Sequence, residues 1–524
     1  MNPASRLPRG VVAVTLIGAA ARLIPYFRRP SFSFDEAMLS ISIASRSFGG
    51  LLRPLEYGQT APPLYLWLTK AVTVVAGVNE LALRALPLLG GLLLPWAFWR
   101  LARRILPEGA ALFASLVVAL APGLVQYSAI VKPYALDALV TVVLLDRALT
   151  ARETDDSRSW AWLVGAGAVA ACLSTPALFV LAAIGICLAI AKWRTRWAWL
   201  GLAALCWLGL FAAIYQGMYR TAAGSPFMQR FWAPDFLVPR AFGFHGRAYG
   251  ILRNSFLEAL LLRPSPAVAA TLFCLVALLG IIWLVRRTGW GRTWLIAGPV
   301  VMTVVASSFR RYPFSWRLLQ FTMPLVALWI AAAGAWLSEA LQRWPRGRST
   351  VPGLGALVAL LLLTVNVSHP YRTPATRDLI SDWKSRANPQ DPVYVFQGSV
   401  PAWVIYTADW AGLDSAWMKA LVTVGDTPQA DLTVTRSGRR EIIGHYAGID
   451  WFPAGGATRP RVDPAWAGHE AHRILHAGGP DVWLLFAQTY RDEASSLLHA
   501  LADSGMTRVY ADSVSGAALY RYRR

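Results

Sequence analysis

Two adjacent carboxylates, Asp35 and Glu36, follow the first apolar stretch of the chain. Neighbouring side chains do not converge on one metal ion without help from the loop, so no metal site is predicted here. The pair fits a division into one base and one supporting group. The simpler interpretation is that Asp35 caps a short helix beginning at Glu36, and the residues alone leave both open.

A second polar stretch lies at residues 126–137, where the sequence is QYSAIVKPYALD. Proline is favoured in the first turn of a helix, so Pro133 predicts a helix start. Asp137 then lies one turn inside this helix near the face of Tyr134, and Lys132 immediately precedes it. We predict that Lys132, Tyr134 and Asp137 bind substrate. A local Lys132–Asp137 pair is the simpler alternative.

Three arginines, Arg310, Arg311 and Arg317, surround Tyr312 in an aromatic-rich connection. A dense cationic cluster requires an anionic partner, and the guanidinium fork matches the oxygens of a phosphate. The connection is therefore predicted to bind a phosphate-containing substrate. Binding to lipid headgroups at the membrane surface is the alternative.

The elements that position these residues are predicted from composition. Hydrophobic residues make up 56% of the chain and charged residues only 15%, which excludes a water-soluble globule. The net charge of +21 comes from short clusters between apolar runs, so a nucleic-acid partner is not predicted.

The cysteines lie within apolar runs, and the histidines of the 469–476 segment fit a solvated helix face. Neither set predicts a metal site.

The predicted fold is an all-α polytopic transmembrane bundle of about eleven helices (residues 1–368) followed by a soluble α/β domain (369–524). The basic connections share one property: all face the cytoplasm if positive charge stays inside. They are 100–104, 147–158, 192–196, 286–292 and 343–348. The spans that place all of these connections on the cytoplasmic side are 10–27, 84–102, 109–127, 134–150, 160–175, 176–191, 197–215, 266–285, 293–308, 317–337 and 352–368.

With these eleven spans, the N-terminus lies on the cytoplasmic side of the cytoplasmic (inner) membrane, and the C-terminal domain lies on the outer side. Residues 62–77 would reach only about 24 Å as a helix against an apolar core of about 30 Å. They are therefore predicted as an interfacial helix in a long first external loop, residues 28–83. The C-terminal domain has strand-like runs at 393–398 and 481–488 and a closing hairpin, but no glycine fingerprint for nucleotides.

Several of these motifs occur together in an order that resembles the GT-C membrane glycosyltransferases, in particular the protein O-mannosyltransferase, aminoarabinose-transferase and Rgt-like group. The motifs are the Asp35-Glu36 pair, PPLY at 62–65, RALP at 84–87, RLARR at 100–104 and the Tyr-Ser…Lys-Pro-Tyr of 127–134. The resemblance covers most of residues 10–340.

The resemblance implies an inverting transfer of a hexose or pentose from a polyprenyl-phosphate sugar donor to an acceptor hydroxyl of an envelope glycan, lipid or protein. It implies Asp35 as the catalytic base with Glu36 beside it. The sequence identifies no cofactor, and a requirement for a divalent metal stays open. The family often has Glu and Arg where this chain has Ile130 and Lys132, which removes an acidic role at 130. A transporter of lipid-linked sugar and an inactive sugar-lipid-binding member are the alternatives.

Overall fold

The computed structural model describes residues 8–238, 247–341, 347–368, 373–426, 431–447, 464–476, 479–489, 492–514 and 516–524. Two compact units are present. The first comprises residues 1–28, 60–72 and 81–371, and the second comprises residues 29–59, 73–80 and 372–524. The second unit therefore combines the C-terminal region with most of the predicted first external loop.

Helices dominate the chain up to residue 368. They are α1 (Arg9–Phe27), α2 (Phe34–Ser45), α3 (Pro63–Ala76), α4 (Glu80–Ala102), α5 (Glu108–Leu120), α6 (Pro122–Gln126), α7 (Tyr134–Thr154), α8 (Ser157–Leu173), α9 (Ala177–Ile214), α10 (Arg220–Gly224), α11 (Pro226–Trp232), α12 (Arg247–Leu261), α13 (Ala267–Thr288), α14 (Trp290–Ser308), α15 (Met323–Leu341) and α16 (Gly347–Ser368).

Helix α9 is not one straight rod. Its backbone leaves helical geometry at Arg196 (φ −132°, ψ 25°). The Thr175 hydroxyl just before α9 lies 3.2 Å from the Tyr219 hydroxyl just after it. A straight helix of 38 residues would separate these groups by about 57 Å. Helix α9 therefore folds back at Arg196 into two antiparallel limbs, which correspond to the predicted spans 176–191 and 197–215.

Ion pairs join the basic connections at one end of the bundle. Arg104 donates to Glu153 at 2.5 Å, and Arg292 donates to the other oxygen of the same carboxylate at 3.1 Å. Lys192, at the fold-back of α9, donates to Asp155 at 2.9 Å. The α4–α5, α7–α8 and α13–α14 connections and the α9 turn thus meet at one end, as the charge pattern predicts. Which side of a membrane this end faces remains a prediction.

Ten of the eleven predicted spans overlap a single helix or a limb of α9, and the span 109–127 covers both α5 and α6. Within the described residues, five helical segments are long and apolar enough to cross a membrane by composition. Helices α5 and α6, bent by 52°, form a sixth if counted as one broken span. Helices α7, α8, α14 and α16 are not among these segments. Helix α7 carries the charged residues Asp137, Asp146 and Arg147, α8 has only 17 residues, and α14 holds several polar residues. Of α16, the apolar part that the structure describes is short. The predicted interfacial segment is helix α3, which is apolar but short.

Close approach of backbones fixes the contact between α13 and α15. A Cβ at Gly280 of α13 would collide with the carbonyl oxygen of Trp329 in α15. Only glycine lets the two helices come this close without a shift of the backbone. Gly280 is thus a packing residue of the bundle.

The C-terminal part of the second unit is a mixed sheet with helices. Its strands are β1 (Val393–Val395), β2 (Leu432–Arg436), β3 (Arg439–Ile443), β4 (Asp481–Ala487), β5 (Thr507–Val514) and β6 (Ala517–Arg523), in the order β2-β3-β1-β4-β6-β5. Its helices are α17 (Thr376–Arg386), α18 (Val400–Thr407), α19 (Ser415–Asp426), α20 (Pro464–His476) and α21 (Glu493–Asp503). Strand β1 pairs in parallel with β3 and β4, and the other pairings are antiparallel. The predicted strands and closing hairpin are confirmed.

Candidate functional site

The Asp35-Glu36 pair lies in the first turn of α2, in the second unit. Ser33, not Asp35, is the N-cap, so the interpretation of Asp35 as the cap of a helix beginning at Glu36 is wrong. The fully buried Glu36 carboxylate accepts from both the backbone N–H and the hydroxyl of Ser33, each at 3.0 Å. This capping box satisfies the helix start. Glu36 is therefore used structurally, and the half-buried Asp35 takes no part in the capping box.

Residues of the C-terminal domain hold the segment that leads into α2. The Tyr406 hydroxyl accepts from the Phe32 N–H at 2.8 Å, and the two rings stack with centroids 5.7 Å apart. The same hydroxyl donates to Glu80 at 3.2 Å. The Arg377 side chain donates to the Arg29 carbonyl at 2.8 Å. The second unit therefore fixes the start of the Asp35 helix through α17 and α18.

Glu80 is the residue that Arg377, Tyr406 and Arg29 all contact. Its buried carboxylate accepts from Arg377 at 2.9 Å and from Arg29 at 3.2 Å. Burial by itself lowers the pKa of Arg377, but the adjacent Glu80 carboxylate outweighs burial and raises that pKa. Arg377 therefore stays charged, and the network persists at any physiological pH.

The predicted substrate residues of the first unit meet at the end of the bundle opposite the basic connections. Asp137, in the first turn of α7, has only 3% of its surface exposed. Its carboxylate faces the Ser174 side chain and lies within electrostatic range of the Tyr219 and Tyr312 phenols. Among the described residues, Oδ1 of Asp137 has no partner in hydrogen-bond geometry. A buried carboxylate with an unused acceptor atom is costly unless a ligand uses it.

Aromatic contacts join the two predicted substrate loops. The Tyr127 ring makes an edge contact with Tyr134 at 4.8 Å between centroids and a tilted contact with Trp316 at 6.4 Å. Tyr312 packs against Phe179 at 4.9 Å. The structure therefore brings Tyr134, Asp137 and Tyr312 into one cluster, as the sequence predicts for a shared site.

The cations differ in how they are held. Arg310 and Arg311 are exposed, and Lys132 is half-buried immediately before α7. The Arg317 guanidinium lies over the Trp232 ring at 4.7 Å. Exposed guanidiniums keep their donors available to an anion, whereas Arg317 is oriented by its aromatic neighbour.

Four residues that contact the predicted site residues or their supporting segment were not predicted from the sequence. Tyr406 and Arg377 lie far along the chain from Asp35, and no local pattern marks them. Ser174 and Tyr219 line the Asp137 cluster instead. The Ser174-Thr175-Pro176 break between apolar runs was a usable signal, since a polar break at the end of two spans often lines a site.

One group of side chains in the described residues has the composition of a metal site. Ligand atoms of Asp431, His445 and Glu470 lie within 4.8 Å of one another. The Arg473 guanidinium already pairs with Asp431 at 3.3 Å and with Glu470 at 2.8 Å. Tyr394 donates to Glu470 at 2.7 Å. The guanidinium of Arg473 bridges the two carboxylates, so this group is also an ion-pair cluster of the domain.

Comparisons with known proteins bear on this architecture. Residues 60–215 match the family model described as dolichyl-phosphate-mannose-protein mannosyltransferase. The fold is similar to the crystal structure of ArnT from Cupriavidus metallidurans bound to undecaprenyl phosphate, at 13% identity and a TM-score of 0.54, over 98% of this chain and 97% of that one. The apo form of the same ArnT gives 14% identity and a TM-score of 0.51, over 97% and 98%. No curated protein matches.

The predicted fold class is thereby confirmed. The chain is a multi-pass helical membrane protein with a C-terminal mixed α/β domain. The resemblance is borne out over residues 60–215, which hold the motifs at 62–65, 84–87, 100–104 and 127–134. The Asp35-Glu36 pair lies outside the matched residues.

Proposed function

We propose that this chain is a GT-C membrane glycosyltransferase that transfers a sugar from a polyprenyl-phosphate donor to an acceptor hydroxyl. The match of residues 60–215 to the mannosyltransferase family model supports this proposal. The observation that carries the proposal is the polar end of the bundle. There the buried Asp137, with an unused acceptor atom, lies beside Tyr134 and beside Tyr312, which belongs to the connection that carries Arg310 and Arg311. The undecaprenyl phosphate bound to a protein of similar fold supports a lipid-linked donor.

The residues divide the chemistry of one displacement among them. Asp35 removes the proton of the acceptor hydroxyl, whose oxygen attacks the anomeric carbon of the sugar. The bond from that carbon to the phosphate oxygen breaks, and the lipid phosphate leaves with the electron pair. Attack opposite the leaving group inverts the anomeric centre. Glu36 holds the start of α2 and so supports the position of Asp35.

The phosphate needs no general acid, because it leaves as a stable anion. Lys132, Arg310, Arg311 and Arg317 stabilise the negative charge that grows on it. Asp137, Tyr134 and Tyr312 offer hydrogen bonds to the sugar hydroxyls. The buried Asp137 carboxylate suits this role, because its free oxygen needs a hydrogen-bond donor and a sugar hydroxyl can donate one.

Charge distribution also supports a location. The basic end of the bundle fits the cytoplasmic face of an inner membrane, with the N-terminus inside. The polar end with Asp137 then faces outward, together with the C-terminal domain. An acceptor on the outer side, such as an envelope glycan, lipid or protein, fits this orientation.

Sugar transfer measured in membranes tests the proposal. Membranes that contain the chain and a labelled polyprenyl-phosphate sugar are incubated with envelope extract, and glycosylated products are identified by mass spectrometry. We expect Asp35→Asn to lose activity by about a hundredfold or more. Asp503→Asn, an exposed carboxylate of the same unit, is the control and keeps full activity.

The outcomes separate the mechanism from the overall function. Full activity of Asp35→Asn would remove Asp35 as the base. Donor binding without product in the wild-type chain would identify an inactive sugar-lipid-binding protein, for which Ile130 at the family's Glu position is the argument. Transport of the donor across a vesicle without any covalent product would identify a transporter.

A further inference from the structure

A pocket of about 390 Å³ lies where the C-terminal parts of α4 and α7 meet. This volume falls in the range of sites for small molecules, about 300–1,000 Å³. Its lining is basic and aromatic. The residues that define it are Trp96, Trp99, Arg100, Arg103, Arg104 and Arg147.

The positive charge of this pocket is only partly balanced. Asp146 accepts from Arg104 at 2.9 Å and from Arg147 at 2.6 Å, and its nearest oxygen lies 3.9 Å from Arg100. One carboxylate against four arginines leaves a formal excess of three positive charges in the lining. Outside the lining, Glu153 pairs with Arg104 and also with Arg292, so at least two positive charges of the pocket stay unbalanced. Such an excess is favourable only when an anion or solvent compensates it.

Aromatic rings orient the guanidiniums of Arg100 and Arg103, which do not hydrogen-bond to Asp146. Arg100 lies over the Trp96 ring at 5.3 Å from its centroid, and Arg103 lies over Trp99 at 4.9 Å. In the part of the chain that the structure describes, Arg103 makes no ion pair. Stacking fixes the plane of each guanidinium and leaves its N–H groups for an anion, which favours the fork geometry of phosphate binding.

An apolar stripe leads from the pocket along α4. Leu89, Leu93 and Trp96 follow one another at helical spacing and are 51%, 44% and 39% exposed. In a membrane helix, such an outward stripe contacts acyl chains. The pocket therefore joins a phosphate-binding group to a lipid-facing surface.

We propose that this pocket binds the headgroup phosphate of an anionic phospholipid, with Arg100 and Arg103 as its ligands and the acyl chains along the α4 stripe. Basic pockets between spanning helices are suited to anionic headgroups. The site is separate from the Asp137 cluster, because Thr150 at the pocket and Asp137 lie about 20 Å apart along α7. The proposal does not depend on the sugar-transfer function.

Lipid binding to the full chain tests this inference. The protein is purified in neutral detergent, delipidated and mixed with phosphatidylglycerol or phosphatidylcholine, and bound lipid is counted by native mass spectrometry. We expect phosphatidylglycerol to be retained and to raise the thermal unfolding midpoint. Arg100→Gln with Arg103→Gln should weaken this binding about tenfold or more, since charge-assisted hydrogen bonds are lost.

A matched variant controls for net charge. Arg286→Gln with Arg287→Gln removes two exposed arginines from the last turn of α13, outside the pocket, and should bind phosphatidylglycerol as the wild-type chain does. The single variant Arg103→Gln, which breaks no ion pair of the described residues, decides the matter if the double variant fails to fold. Equal loss in the α13 variant, or equal retention of the two lipids, would overturn the proposal. Displacement of the lipid by glycerol phosphate at the same concentration would also overturn it, in favour of a soluble phosphate.

Discussion

The Arg377 guanidinium donates to the Glu80 carboxylate at 2.9 Å, although the two residues lie 297 positions apart in the chain. Glu80 lies near the end of the predicted first external loop, and Arg377 lies near the start of the C-terminal domain. Their ion pair, with Arg29 and Tyr406 around it, makes the loop and the domain one compact unit. The C-terminal domain thus has a structural role beside the segment that carries Asp35.

Removal of the Glu80 charge tests this role. Glu80 is buried, while Arg377 and Arg29 have 33% and 47% of their side chains exposed and can turn to water. We therefore expect Glu80→Gln to lower the free energy of unfolding by about 1–2 kcal/mol. Asp378→Asn removes the exposed partner of the same Arg377 and should change it little. Thermal unfolding of the purified chain measures both, and equal losses would contradict the prediction.

The Tyr406 hydroxyl is predicted to act as a positioning group in the proposed reaction. Tyr406→Phe keeps the stacking on Phe32 but removes the hydrogen bonds to the Phe32 N–H and to Glu80. Because these contacts hold the start of α2, we expect kcat to fall about tenfold while KM for the lipid-linked donor stays the same.

A second tyrosine of the same unit is the control. Tyr510 donates to Asp382 at 2.7 Å, so Tyr510→Phe also removes a phenol from a carboxylate. It should leave kcat unchanged. An equal fall of kcat in both variants would show general destabilisation instead of positioning.

Replacement of Gly280 is predicted to destabilise the bundle. The methyl group of Gly280→Ala would meet the Trp329 carbonyl, so a helix must shift at a cost of about 1–3 kcal/mol. Gly334→Ala, in α15, meets nothing within 4 Å and should be neutral or slightly stabilising. The unfolding midpoints in detergent compare the two. A stable Gly280→Ala protein would show that the close contact has room to relax.

The stability of the sheet should depend on acid through Asp481. Arg523 lowers the pKa of this carboxyl, burial opposes that shift, and Arg521 adds to it. The folded-state pKa thus lies below the unfolded value of about 3.9. The ion pairs are therefore complete above that value, and their contribution is lost as the pH falls through the folded-state pKa.

The matching experiment compares unfolding midpoints at pH 7 and near pH 3. Asp481→Asn should be less stable than the wild-type chain at pH 7, and the gap should narrow in acid. Asp503→Asn, an exposed carboxylate, should follow the wild-type chain at both values. A gap that stays constant with pH would assign the loss to packing instead of charge.

Much of the bundle is predictable because its signals are local. Apolar runs of spanning length place a helix at each predicted span, and the basic clusters between them indicate which connections share an end. The turn at Arg196 is an example. The cluster Lys192, Arg194 and Arg196 predicts a connection there, and the structure folds α9 back at this point although the residues on both sides are helical.

The sequence by itself determined the membrane class and the presence of a C-terminal α/β domain, and it nominated Asp35, Asp137 and Tyr312 as candidates, because residue type and spacing along one element carry that information. Only the tertiary structure decided that Glu36 completes a capping box with Ser33, that Ser174 and Tyr219 join Asp137, and that Arg377 reaches Glu80. The rotamer and the burial of Glu36 direct its carboxylate to Ser33, and neither can be read from the sequence. The other contacts join distant segments, and helix packing brings them together without any local pattern to mark them.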